Sequence, residues 1–142
     1  MTVKAILQCK SQDIVSISGA AKVSDAIALL AEKRIGALPV MEGGAVVGIF
    51  SERDVIYCLA RSGGVALDMP VSDVMTSPAV TIGPECAVLS ALSLMTKRRI
   101  RHLPVVEAAG VAGFISIGDL VKHRIEKIEA EAAAMRDYIQ MA

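Results

Sequence analysis

Two stretches of the chain bring a serine and an aspartate together at a spacing with chemical consequences: GIFSERD (Gly48–Asp54) and GFISIGD (Gly113–Asp119). In each, a strand led by glycine delivers Ser, two variable residues and Asp to the start of a helix. Ser51 with Asp54, and Ser116 with Asp119, approximate a capping box, in which hydroxyl and carboxylate satisfy free N–H groups at a helix start. The same groups suit a ligand. A helix N-terminus beside a serine hydroxyl accommodates a phosphate, and a carboxylate there accepts hydrogen bonds from both hydroxyls of a ribose. Phosphate plus ribose describes a nucleotide, so capping and nucleotide binding stand as two readings of each motif.

Cations lie near the second motif. In KRRIRH (Lys97–His102) the first residues read as a helix end, where basic side chains offset the dipole and stay solvated. Arg101 and His102 directly precede Leu103-Pro104-Val105, where the other copy has Gly36 and Ala37. Drift between copies explains a difference there; a bias towards phosphate explains its direction. The guanidinium is the better candidate, because it binds phosphate bidentately.

The elements that position these residues come from an internal repeat. Adding 65 to each number from Val15 to Asp54 gives Val80 to Asp119 without a gap, and 15 of the 40 positions are identical. Among them are Val15/Val80, Arg34/Arg99, Pro39/Pro104, Gly48/Gly113, Ser51/Ser116 and Asp54/Asp119. Each copy reads as a short strand (Ile14–Ile17; Ala79–Ile82), then a helix with apolar residues three and four apart: Val23, Ala26, Ile27, Leu30, and Val88, Ala91, Leu92, Met95. A strand follows (Ala37–Glu42; His102–Glu107), then a turn and an antiparallel strand (Val46–Phe50; Val111–Ile115). A final helix begins at Ser51 or Ser116. The unit is therefore β-α-β-β-α, twice, with Ala66–Val74 linking the copies, and two such units must pack together to bury their helices. We divide the chain into a first repeat with an N-terminal helix (1–65), a second repeat (66–126) and a C-terminal helical extension (127–142).

Composition removes several functions. With 142 residues, 15 Lys+Arg against 15 Asp+Glu and four aromatics, the chain lacks both the electrostatic footprint and the stacking platforms of nucleic-acid binding. Charged residues interrupt every apolar stretch before a membrane span is reached, and MTVKAILQCK has no signal-peptide pattern, so a soluble, cytoplasmic protein without a membrane partner is expected. Cys9, Cys58, Cys86, His102 and His123 show no metal-ligand spacing, and no nucleophile motif points to an enzyme. Gly43-Gly44-Ala-Val-Val-Gly48 precedes a strand, where a dinucleotide-binding loop would open a helix. The mean hydropathy of +0.54 is high for so short a chain and predicts a homo-oligomer. In the last helix Val121, Ile125, Ile128, Ala132, Met135 and Ile139 alternate at four and three. That spacing favours an amphipathic helix folded back on its own module, with helix pairing in a dimer as the alternative.

The doubled unit, with I-x-x-LPV-x-E followed by G-x-x-S-x-x-D, resembles the CBS domain pair, or Bateman module, over nearly the whole chain. VKAILQ (Val3–Gln8), IGALPVMEGGAVVGIFSERD (Ile35–Asp54), RRIRHLPVVE (Arg98–Glu107) and GFISIGDLVK (Gly113–Lys122) are similar to small stand-alone bacterial CBS-pair proteins. The resemblance implies an α/β (α+β) fold of tandem CBS repeats with pseudo-two-fold symmetry and a long C-terminal helix. It implies an adenine nucleotide (AMP, ATP or NAD(H)) or related adenosyl compound held between the repeats as ligand, with no catalytic cofactor. By the same resemblance Asp54 and Asp119 each bind a ribose, Ser51 and Ser116 approach phosphate, and Arg101 and His102 supply phosphate-binding cations. Thr76 contacts the nucleotide of the other copy, Val15 and Val80 border adenine, and Arg53 is a further phosphate contact, replaced by Gly118 in the second copy. The function so implied is a non-catalytic nucleotide sensor, a homodimer formed through the CBS-pair helices. It would act on a downstream protein that no residue pattern marks. The alternative is a ligand-free structural or protein-interaction dimer module.

Overall fold

A computed structural model of the chain describes residues 1–10 and 13–141. The elements are α1 (Val3–Cys9), β1 (Ile17–Ser18), α2 (Val23–Lys33), β2 (Ala37–Glu42), β3 (Ala45–Ser51) and α3 (Glu52–Ser62). A 3-10 segment (Gly63–Asp68) and α4 (Val71–Val74) lead into α5 (Val88–Arg98), β4 (His102–Glu107), β5 (Gly110–Ser116) and α6 (Ile117–Met141). β1 pairs parallel to β2, and β2 pairs antiparallel to β3 across Gly43-Gly44, both at positive φ as a tight turn requires. β4 and β5 repeat that hairpin.

The first strand of each copy is shorter than expected. Ile14–Ile17 contracts to Ile17–Ser18, and Ala79–Ile82 to a single parallel bridge, Ile82 to Val105. The Leu-Pro-Val motif explains both. The Ile82 N–H donates to the Pro104 carbonyl at 3.1 Å and the Val106 N–H donates to Ile82 at 2.8 Å, so the next rung needs an N–H on Pro104. Proline has none. The ladder stops, and the carbonyl of Val80, like that of Val15 opposite Pro39, is left without its ladder donor.

Each copy buries one side of its sheet under its own helices. The first core holds Val23, Ala26, Leu30, Leu38, Val40 and Phe50; the second holds Val88, Ala91, Met95, Leu103, Val105, Ile115 and Leu120. Both are completed by an arm that precedes the other copy. Val3 and Ile6 of α1 sit in the second core, whereas Ala66 and Val71 of the supposed linker sit in the first. The exchange is symmetric in its backbone bonds: Val3 N–H to Cys86 carbonyl and Val71 N–H to Ala21 carbonyl, then Lys4 to Pro84 and Ser72 to Gly19. Chain order groups the N-terminal helix with the first repeat; packing joins it to the second.

Gly48 and Gly113 have a steric reason in this exchange. A Cβ on Gly48 would stand 2.6 Å from Met75 Sδ and 2.9 Å from the Thr76 carbonyl oxygen, and one on Gly113 would stand 2.5 Å from Leu7 Cδ2. The glycine that leads each Ser-x-x-Asp motif thus admits the arm from the other copy. α2 and α5 both end in a left-handed arginine, Arg34 at φ 53° and Arg99 at φ 54°, where glycine is the usual cap.

α6 departs from its expected packing. Leu120 is buried in the second core, but Val121, Ile125, Ile128, Met135 and Ile139 are exposed, so the helix does not fold back along its module. Its 25 residues extend roughly 37 Å. Among the described residues no helix is long and apolar enough to cross a membrane.

Candidate functional site

Both Ser-x-x-Asp motifs form capping boxes, but their carboxylates differ in what else they meet. At the first, the Ser51 N–H donates to Asp54 Oδ2 at 2.8 Å and the Asp54 N–H donates to Ser51 Oγ at 3.4 Å. Asp54 Oδ2 also receives Ser51 Oγ at 3.1 Å, and Thr76 Oγ1 donates to Oδ1 at 2.9 Å. With both oxygens engaged and the residue only 7% exposed, Asp54 is closed. Thr76 is therefore brought to Asp54, held there by its two backbone bonds to Ile49.

At the second motif, the Ser116 N–H donates to Asp119 Oδ2 at 2.9 Å and the Asp119 N–H donates to Ser116 Oγ at 3.1 Å. Lys10 Nζ reaches the same Oδ2 at 2.7 Å and the Phe114 carbonyl at 2.8 Å. Among the described residues every hydrogen bond to Asp119 ends on Oδ2, and its side chain remains 28% exposed. Burial alone would raise its pKa. The bonds from Lys10 and Ser116 outweigh that and hold the carboxyl below its ordinary 3.8.

Asp119 opens into a cavity of about 550 Å³ between the copies, a volume in the range of small-molecule sites. Ile14, Val15 and the Arg34–Ala37 turn line it from the first copy; His102, Phe114, Ser116 and Asp119 line it from the second. The α1 arm adds Lys4 and Lys10. The His102 ring stacks on Phe114 with centroids 5.5 Å apart, and its Cε1 lies where a Cβ at position 36 would be 3.4 Å away. Gly36 of one copy thus lies against His102 of the other at an ordinary contact distance. Burial, reinforced by Lys10 and opposed by Asp119 and Glu52, lowers the His102 pKa from 6.5, so the imidazole is a neutral hydrogen-bonding group at pH 7.

Of the expected site residues, Val15, His102, Ser116 and Asp119 line this cavity, whereas Ser51, Asp54 and Thr76 form the closed cluster of the first copy. Arg101 is exposed and does not line the cavity, unlike its neighbour His102. Adjacent residues entering a strand project to opposite sides, so only one of the two can point inward. The Arg53 guanidinium donates to the Arg99 carbonyl at 2.9 Å, satisfying the end of α5. Val80 packs against the second core. Lys4, Lys10 and Arg34 were not expected. Lys10 has no local motif, but Arg34 carried a signal: an arginine kept in both copies where a glycine cap belongs.

The CBS domain family model matches the chain twice, at residues 3–61 and 71–126. The chain is 37% identical over 123 residues to the mitochondrial CBS domain-containing protein CBSX3 of Arabidopsis thaliana; the match covers 83% of this chain and 60% of that protein, so the chain spans less than two thirds of that relative. The crystal structure of the CBS-domain containing protein ATU1752 from Agrobacterium tumefaciens superposes with a TM-score of 0.83 at 37% identity, covering 87% of this chain and 99% of that one. The CBS domain pair of protein MJ0100, solved with 5′-methylthioadenosine and S-adenosyl-L-methionine, has the same fold, with a TM-score of 0.75 at 23% identity over 86% of this chain and 98% of that one. With two family matches falling on the two copies of the repeat, and the exchanged arms closing each copy, the chain belongs to the CBS domain family as a CBS pair.

Proposed function

We propose that this CBS pair is a non-catalytic regulatory module that binds an adenine nucleotide (AMP, ATP or NAD(H)) in the cavity at Asp119. One observation carries the reading: a carboxylate at a helix start opens into an inter-repeat cavity with apolar residues and cations in its walls. The ribose hydroxyls would donate to Asp119, and the phosphate would lie towards the α6 N-terminus and the cations of Lys4, Lys10 and Arg34. Adenine would border Ile14 and Val15, whose carbonyl lost its ladder donor to Pro39 and is available to the exocyclic amine. The fold's use for adenosyl ligands in protein MJ0100 agrees with this chemistry. His102 would serve as a neutral donor or acceptor.

The closed cluster of Ser51, Asp54 and Thr76 favours a structural role for the first motif, so one nucleotide per chain is expected. Homodimerisation would use the groove between α2 and α3, lined by Ile27, Leu30, Ile35, Val55 and Ile56, with Tyr57 exposed beside it. Calorimetric titration with AMP and with adenosine tests the ligand reading. It predicts about one AMP per chain and much weaker adenosine; no heat with AMP, ATP or NAD(H) would leave the structural module in its place.

A further inference from the structure

The exposed face of α6 is independent of the nucleotide reading. Val121, Ile125, Ile128, Ala132, Met135 and Ile139 form a single seam, and its large residues are 42–64% exposed. The spacing places Ile125, Ala132 and Ile139 at a and Val121, Ile128 and Met135 at d of a heptad. Arg124 and Glu131 then fall at g, and Lys122, Glu129 and Arg136 at e. Among the described residues none of these five charges takes part in an ion pair.

The flanking charges decide what fits the seam. In a parallel, in-register pair, each g residue faces the e residue of the partner's next heptad. Arg124 then meets Glu129 of the partner subunit, and Glu131 meets Arg136 of the partner subunit. Both contacts are attractive, and two-fold symmetry makes four. The antiparallel arrangement that matches Val121 with Ile139 does the reverse: Glu129 faces Glu129, Glu131 faces Glu131, and Lys122 faces Arg136. We infer that the 121–139 face of α6 docks on the same face of a second copy of this chain, as a parallel two-stranded coiled coil whose direction is set by Arg124, Glu129, Glu131 and Arg136. The seam is too short to be stable alone and serves as a directional clasp between whole chains.

Disulfide trapping in the full chain tests this. Ile125→Cys and Met135→Cys variants are oxidised separately and as an equal mixture, and the linked peptides are identified by mass spectrometry to separate them from the native cysteines. The parallel pair predicts that position 125 links to 125 and position 135 to 135, with no 125–135 link. A 125–135 link, or failure of either position to link to itself, overturns the proposal. Arg124→Glu is expected to slow the link at 135 roughly tenfold, because two attractions become repulsions, and Arg124→Glu with Glu129→Arg to restore it. Residues 124 and 129 are not neighbours on one helix, so the restoration reads only the contact between chains. A link indifferent to these changes also contradicts the proposal.

Discussion

Lys10 Nζ lies 2.7 Å from Asp119 Oδ2, so the residue that follows α1 is tied to the acid that starts α6. The bond fastens the N-terminal arm over the second copy at the point where the cavity opens. The Lys10 side chain is 39% exposed, so the pair has the modest strength of a surface ion pair, about 0.2–1 kcal/mol. Lys10→Met is therefore expected to lower unfolding stability by no more than about 1 kcal/mol in urea titrations. A larger loss would mean that the arm depends on this bond and not on Val3 and Ile6.

Acid is expected to destabilise the protein in two stages. The native pKa of His102 is lowered from 6.5, so the unfolded chain binds the extra proton first and stability falls as pH drops below about 6.5. The native pKa of Asp119 is lowered from 3.8, so its contribution is present above that value and is lost as pH falls through the lower native pKa. Melting temperatures between pH 8 and 3 check both stages. His102→Gln should flatten the first and leave the second; an unchanged first stage would remove His102 as its source.

The two repeat glycines should differ in cost. Gly48→Ala meets the Thr76 main chain as well as Met75, whereas the atoms nearest a Cβ at Gly113 all belong to the Leu7 side chain, which can turn away. Overpacking of this kind costs about 1–3 kcal/mol, with Gly48→Ala at the upper end. Guanidinium denaturation of the two variants gives the order directly, and the reverse order would contradict the steric account.

Arg34 separates strain from function. Glycine is the residue its left-handed backbone prefers, so Arg34→Gly should change stability by less than about 1 kcal/mol. It should weaken AMP binding roughly tenfold, the scale of a lost charge-assisted hydrogen bond, and leave adenosine unaffected. Arg101→Ala should change neither affinity. Equal AMP affinity in Arg34→Gly and the parent would reduce Arg34 to a helix cap.

The repeat, the hairpins, both capping motifs and the family were legible in the sequence because they rest on local spacing and on identities between copies. The exchange of arms was not. Val3 and Val71 occupy equivalent places, but the arms lie outside the identical run and share too few residues to be aligned. Lys10 was invisible for the same reason. The inequality of the two acids was also hidden, since it arises from Thr76 reaching one and Lys10 the other across the exchange. The shortened first strands were open to inference, because the proline of Leu-Pro-Val forbids the next rung. The free course of α6 was not, because a heptad seam reads alike whether its cover is its own module or a second helix.

The claim that Asp119 binds ligand while Asp54 holds structure is tested most directly by calorimetric AMP titration of Asp119→Ala and Asp54→Ala beside the parent. Asp119→Ala is expected to weaken AMP by about 1.5–3 kcal/mol with the fold intact, and Asp54→Ala to keep most of its affinity while lowering thermal stability. Parent-like affinity in Asp119→Ala, or loss of binding confined to a folded Asp54→Ala, would contradict it.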